Sequence, residues 1–270
     1  MIKSCFHVHS VFCDGYSTIK EMIDSAIQKE FTHLGFTGHS FISNADKYSL
    51  TPERFDKYIK EVNEAKEKYN GVLNIFLGIE QDCFSKPQTY PFEYSIGSVH
   101  NVKKNGDLLF FDYNINETER IIKEVYSGKY VLFAKDYFET VANVIDMTGA
   151  DIIGHIDLCS KFNEKLGNNQ TDEYLEYAEN AVDKLIKTGA IFEMNTGAMA
   201  RGYKATPYPS IEILKMIYTR GGKIIINSDC HNHDQLDYGF CEAQTIAEKV
   251  GYTEHYVFNG KNFTPIKFEK

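Results

Sequence analysis

The stretch Val72 to Glu80 reads Val-Leu-Asn-Ile-Phe-Leu-Gly-Ile-Glu, a near-continuous apolar run that closes on a carboxylate. Such runs suit a parallel strand buried on both faces, and that strand needs helices packed on either side. The flanking sequence supplies them. From Ser17 a helix is predicted by Ile19, Met22, Ile23, Ala26 and Ile27, and Thr18 and Glu21 have capping-box spacing. A strand at about His33 to His39 follows. Thr51-Pro52 then opens a long helix with Phe55, Tyr58, Ile59, Val62 and Ala65 on one face.

The same alternation covers the rest of the chain. A short apolar run makes His7-Val8-His9 the end of a first strand, and Tyr94 to His100 is the fourth. Lys103-Lys104-Asn105-Gly106-Asp107 predicts a hairpin through Asn-Gly. Helices near Glu117 to Tyr126 and Tyr130 to Met147 lead to strand five, Asp151 to Asp157. A helix at Asp172 to Lys187, strand six at Ala190 to Asn195, a helix from Ser210 and strand seven at Lys223 to Asn227 come next. A helix from about Cys241 and a short strand near Tyr256 complete the pattern. Strand-helix alternation of this kind predicts a parallel β/α sheet or barrel, whose active site lies at the carboxyl ends of the strands.

Nearly every predicted strand ends on a residue that can bind a metal. His7 and His9, His39, Glu80, His100, His155, and Asp229 with His231 stand at strand ends, and Asp14 lies on the first strand-helix loop. In a strand, positions i and i+2 face the same side, so His7 and His9 leave the backbone together. The set holds six histidines and three carboxylates with no thiolate, which favours Mn²⁺, Fe or Zn²⁺. Nine ligands are too many for one ion and enough for two or three. Cys230, between two of them, is expected to point away and pack. Asp157 is a candidate to orient a ligand histidine.

Composition narrows the partners. With 270 residues, 43% of them hydrophobic, the chain can bury a sizeable core as a single barrel domain spanning 1–270. A net charge of −9 disfavours a polynucleotide, and a small-molecule substrate is expected instead. No apolar run approaches the ~20 residues that span a bilayer, and no apolar segment precedes the first strand, so no membrane partner is expected. Six cysteines without Cys-x-x-Cys spacing fit buried residues in a reduced, cytoplasmic setting.

The ordered set His7-x-His9, His39, Glu80, His100, His155 and Asp229-x-His231 resembles the polymerase and histidinol phosphatase (PHP) superfamily over essentially the full length. The resemblance implies a distorted barrel of seven β/α units around three divalent ions. It would put His7, His9, Glu80 and Asp229 on one ion, Glu80, His100 and His155 on a second, and Asp14, His39 and His231 on a third. Many members carry histidine in the first loop where this chain has Asp14, a departure that bears on the identity or affinity of that ion.

Three segments look most like the histidinol-phosphate phosphatases of that superfamily: His9-Ser10-x-x-x-Asp14-Gly15, Gly154-His155-Ile156-Asp157-Leu158, and Asn195-Thr196-Gly197 to Tyr208-Pro209 with Arg201. They imply a phosphomonoesterase in which a metal-bridging hydroxide attacks L-histidinol phosphate. Glu80 and Asp229 would act with the ions, and the planar fork of Arg201 would hold phosphoryl oxygens. Ser160, Lys161 and His233 are further candidates for substrate contact, the alternative for His233 being a solvated loop histidine. Other small or protein-borne phosphates, such as nucleotide 3′-phosphates or phosphotyrosine, are the competing substrates.

Overall fold

The computed structural model describes residues 2–42 and 47–268. In chain order the elements are β1 (Ser4–Cys5), α1 (Ile19–Gln28), β2 (His33–His39), α2 (Pro52–Lys68), β3 (Asn74–Asp82) and β4 (Tyr94–Ser98). A hairpin, β5 (Val102–Lys104) and β6 (Asp107–Leu109), precedes α3 (Ile115–Val125), α4 (Tyr130–Val141) and α5 (Val144–Thr148). Then come β7 (Ile152–Ile153), α6 (Asn163–Leu166), α7 (Asp172–Leu185), β8 (Ile191–Asn195), α8 (Gly197–Ala200) and α9 (Ile211–Thr219). The chain finishes with β9 (Ile224–Asn227), α10 (Phe240–Val250), β10 (Glu254–Phe258) and β11 (Phe263–Lys267).

Seven strands pair in the order β1-β2-β3-β4-β7-β8-β9, and every pairing is parallel. The two edges meet at an isolated parallel bridge between Val8 and Cys230, where His9 N donates to Cys230 O at 2.9 Å. The result is a nearly closed barrel. Two apolar clusters join the sheet to its helices. One packs Met22, Ile23, Val62 and Ala243 on Leu34, Phe36 and Ile226, and the other packs Ile121, Phe138, Val182 and Ile217 on Ile153 and Phe192. A third cluster, Phe6, Phe76, Tyr94, Ile152, Ile191 and Ile225 with Val257 and Phe258, sits near the strand starts. The β10–β11 hairpin therefore covers the amino-terminal end of the barrel and leaves the carboxyl end to the site.

Several expected elements are shorter or displaced. His7 and His9 lie beyond β1; at the seam residues 6–9 pair only through Val8, and Phe6 N donates to the side chain of Asn227 at 2.8 Å. β3 starts at Asn74 because Gly71, at φ +80°, turns Val72 out to 65% exposure. The run from Asp151 pairs only at Ile152 and Ile153, since the chain turns into a 3₁₀ segment at Leu158–Ser160. The predicted helix to Met147 breaks after Val141, β11 was not anticipated, and Cys241 is exposed while the other five cysteines are buried. The Asn-Gly hairpin forms with positive φ at Asn105 and Gly106, and α1 carries the capping box of Thr18 and Glu21. Among the described residues no helix is long and apolar enough to cross a membrane.

Candidate metal centre

All nine predicted ligands meet at the carboxyl end of the barrel, with Glu80 in the middle. His39, the last residue of β2, pairs in register with Glu80 near the end of β3, so neighbouring strands deliver adjacent ligands. Glu80 Oε2 lies 3.3 Å from His7 Nε2, 3.5 Å from His9 Nε2 and 2.7 Å from His39 Nδ1. Its Oε1 lies 3.2 Å from His100 Nε2 and 3.1 Å from His155 Nε2. The carboxylate thus faces two sets of imidazoles, the geometry a bridging ligand needs. Asp229 Oδ1 stands 3.7 Å from His7 Nε2 and 3.1 Å from His9 Nε2. Asp14 lies 3.5 Å from His39 Nε2 and 3.2 Å from His231 Nε2.

Three groups have their ligand atoms within 4.8 Å of one another: His7, His9 and Asp229; His39, Glu80 and His100; and His9, Asp14, His39 and His231. These differ in detail from the sets implied by family resemblance. His9 and His39 each fall in two groups, and His155 approaches the cluster through Glu80. Asp229 takes a left-handed φ of +48°, a conformation that aspartate tolerates better than most residues, and its carboxylate points into the cluster.

The donor set fits divalent cations. His7 Nε2, His9 Nε2, Asp14 Oδ1 and Glu80 Oε2 are buried and have no hydrogen-bond partner. Buried polar atoms are normally satisfied, so four orphans converging in one place need a common partner. Electrostatics agree. Burial disfavours ionised Glu80, Asp14 and Asp229, yet the imidazoles around Glu80 and Asp14, and Arg201 with His7 beside Asp229, hold all three well below the usual carboxylate range. Burial likewise opposes a charge on His7 and His100, and carboxylates overcome it: Glu193, Glu80 and Asp229 raise His7, and Glu80 with Asp82 bring His100 to about 10. His9 instead falls to about 3, from burial and the neighbouring His231 and His39. Anionic carboxylates facing ring nitrogens whose protons a cation can replace make a metal-binding environment.

Several ligands are held from behind. A histidine that ligates through Nε2 carries its proton on Nδ1, so the partner of Nδ1 sets its pose. His7 Nδ1 donates to Glu193 Oε1 at 2.7 Å, and Asn227 Nδ2 and Asn195 Nδ2 complete the hydrogen bonds of that buried carboxylate. His100 Nδ1 donates to Asp82 Oδ2 at 3.1 Å, and His231 Nδ1 to Asp229 O at 2.9 Å. Sequence reading missed Glu193 and Asp82 although both left a signal. Asp82 is two residues past Glu80 in one strand, and Glu193 interrupts the apolar run Ile191-Phe192. Asp157 does not orient a ligand histidine: its Oδ2 accepts from Ser210 N, its Oδ1 has no partner, and His155 Nδ1 is also unpaired.

The other predicted contacts are spread more widely. Arg201 donates through Nη2 to Asp229 Oδ2 at 3.0 Å and through Nη1 to Asp229 O at 3.1 Å, so its fork grips a ligand residue. Lys161 Nζ bonds Asp112 Oδ1 at 2.6 Å, and Ser160 Oγ accepts from Lys204 Nζ at 3.0 Å. His233 is turned away from the cluster, its Nδ1 bonded to Ser17 Oγ at 3.0 Å and its Nε2 3.3 Å from Asp234. The 3₁₀ turn at His233–Gln235, which packs on α1, sets that orientation. Cys230 packs as expected, against Met22 and Asn232 O.

Comparison with known proteins places the chain among similar sequences and folds. The family model described as PHP domain matches residues 6–197. A Schizosaccharomyces pombe protein named "Probable histidinol-phosphatase" is 26% identical over 271 residues, covering 92% of this chain and 86% of its own length. Among solved structures, the hisK protein of Listeria monocytogenes superposes with a TM-score of 0.78 at 21% identity, over 89% of this chain and 99% of that one. The histidinol phosphate phosphatase of Lactococcus lactis, solved with Zn, L-histidinol and phosphate, superposes with a TM-score of 0.73 at 18% identity, over 97% of this chain and 98% of that one.

Proposed function

This chain belongs to the PHP domain family, and from that premise we propose that it is a metal-dependent phosphomonoesterase hydrolysing L-histidinol phosphate to L-histidinol and phosphate. The observation that carries the chemistry is the convergence of four buried, unpartnered ligand atoms on one cluster. The choice of substrate is supported by the near full-length similarity to proteins named for that activity. Residues 1–270 act in this reading as one barrel unit, because the ligands run from His7 to His231 and the β10–β11 hairpin packs on the same sheet.

His7, His9, Glu80 and Asp229 would hold one divalent ion, Glu80, His100 and His155 a second, and Asp14, His39 and His231 a third. Mn²⁺, Fe or Zn²⁺ suits this mixture of imidazole and carboxylate. Such ions, once bound, neutralise the charge of the ester and activate water as the nucleophile. The residues of the chain do the positioning. Glu80 presents one oxygen to each side of the cluster, and Asp229 is clamped by Arg201 on two of its oxygens. Arg201, a quarter exposed, meets phosphoryl oxygens from the same fork that holds Asp229. Ser160 and Lys161, in the segment after β7, would contribute further donors. The water oxygen bonds to phosphorus, the phosphorus–oxygen bond to the alcohol breaks, and the departing oxygen takes a proton.

The test is phosphate release by Mn²⁺-loaded protein from histidinol phosphate, adenosine 3′,5′-bisphosphate, a phosphotyrosine peptide and a single-stranded oligonucleotide. Selectivity for histidinol phosphate is the expected outcome. Preference for another ester would overturn the substrate, and release from none would overturn the activity.

A further inference from the structure

The loop from Thr196 to Pro209 carries a second polar group that the mechanism above leaves unused. Tyr208 is fully buried, and its hydroxyl has no hydrogen-bond partner. Its backbone pairs with Asn195 at the carboxyl end of β8, through N–H···O bonds of 2.9 Å in both directions. That pairing sets the ring beside the metal cluster, edge-on to the ligand His155 with centroids 6.3 Å apart. Lys204 Nζ lies 5.1 Å over the other side of the ring.

Charged groups of both signs converge on the hydroxyl. Arg201, Asp229, Asp157 and Asp112 act on it electrostatically from four separate segments, and burial with these carboxylates holds the phenol well above its ordinary range. Arg201 and Lys204 stand on its own loop, and Lys161, in the segment after β7, is bonded to Asp112. Among the described residues the buried hydroxyls of Ser98 and Ser210 also lack partners. A buried hydroxyl is disfavoured unless something completes it.

We propose that the Tyr208 hydroxyl is a catalytic phosphoryl-binding donor, giving its hydrogen bond to an oxygen of the transferred group beside Arg201. The proposal rests on the phosphomonoesterase reading but is indifferent to the alcohol half of the ester. No bond to Tyr208 forms or breaks.

Tyr208→Phe removes the oxygen alone and tests it in the metal-loaded protein. Binding of inorganic phosphate, measured by calorimetry, is expected to weaken roughly 10- to 100-fold, with kcat/KM falling to a similar extent. Metal content is expected to match the wild type, and Tm to stay level or rise, because the lost group satisfied no partner in the protein. Wild-type phosphate affinity in the Phe variant overturns the proposal. So does a lower Tm with loss of metal, which would mark a structural tyrosine. Ser210→Ala, which deletes a neighbouring unpaired hydroxyl, is expected to leave phosphate binding unchanged; equal weakening would assign the effect to the loop instead. Should the wild type bind no phosphate and cleave no ester, the phosphomonoesterase reading fails first, whereas an active wild type beside an unaffected Phe variant sinks only the role of Tyr208.

Discussion

His7 reaches the cluster with its tautomer already chosen, because Glu193 Oε1 accepts the hydrogen bond of Nδ1–H at 2.7 Å. Glu193→Gln keeps the shape but loses the anion, and orienting partners of this kind are worth roughly 10- to 100-fold in metal affinity or activity. That loss is expected in metal retained after dialysis and in kcat/KM; wild-type values in both would mean that His7 needs no carboxylate behind it. Arg201 holds Asp229 by two oxygens, so Arg201→Met is expected to raise KM roughly 10-fold or more and also to lower the metal retained. Full metal content in that variant would show that Asp229 keeps its pose alone. Most of the ligand residues were legible in the sequence because they stand at or just past the ends of apolar runs, and Asp14 because it lies on the loop that follows the first of them. The role of Glu193 was not, since nothing local reveals that a strand glutamate faces an imidazole from the opposite end of the chain.

At the level of elements, the interior of the barrel depends on Tyr94. Its hydroxyl donates to Phe6 O at 2.8 Å, and its ring lies over Gly78, where an added Cβ would sit 2.6 Å from Cζ. The ring is tethered and has little freedom to yield, so Gly78→Ala is expected to destabilise by about 1–3 kcal/mol, read as a lower denaturation midpoint. An unchanged midpoint would mean that Tyr94 can swing aside. The β10–β11 hairpin carries a titrating group far from the metals. His255 stacks on Phe268, its Nδ1 is buried without a partner, and burial lowers it from 6.5 to about 4. The unfolded chain therefore takes up this proton first. Stability is intact above pH 6.5 and is lost as pH falls from there toward 4, by about 3 kcal/mol at the limit. His255→Phe is expected to flatten that part of the stability curve; an identical acid slope in the two proteins would refute the assignment. The hairpin lay only half in view of the sequence, because β11 carries three exposed positions and no apolar run to announce it.

For the whole molecule, the nine ligands come from every part of the barrel between His7 and His231, so bound cations tie its closing seam to its far strands. Chelation is expected to lower Tm by roughly 5–10 °C, since a ligand bound only by the folded state adds to its stability. Equal Tm with and without metal would detach the ions from the fold. The amino-acid sequence by itself determined the alternation of strands and helices and the ligands that stand at or just past the ends of most of the apolar runs. Periods of 2 and 3.6 and the ends of apolar runs are local properties of the chain. The tertiary structure alone decided how the ligands share one another. Closure of the barrel brings His7 within 3.7 Å of Asp229 and sets five imidazoles around the two oxygens of Glu80. It also turned His233 outward, bent Arg201 onto Asp229 and buried the Tyr208 hydroxyl without a partner. Those outcomes depend on side chains meeting across loops distant in sequence, where no local pattern carries the information.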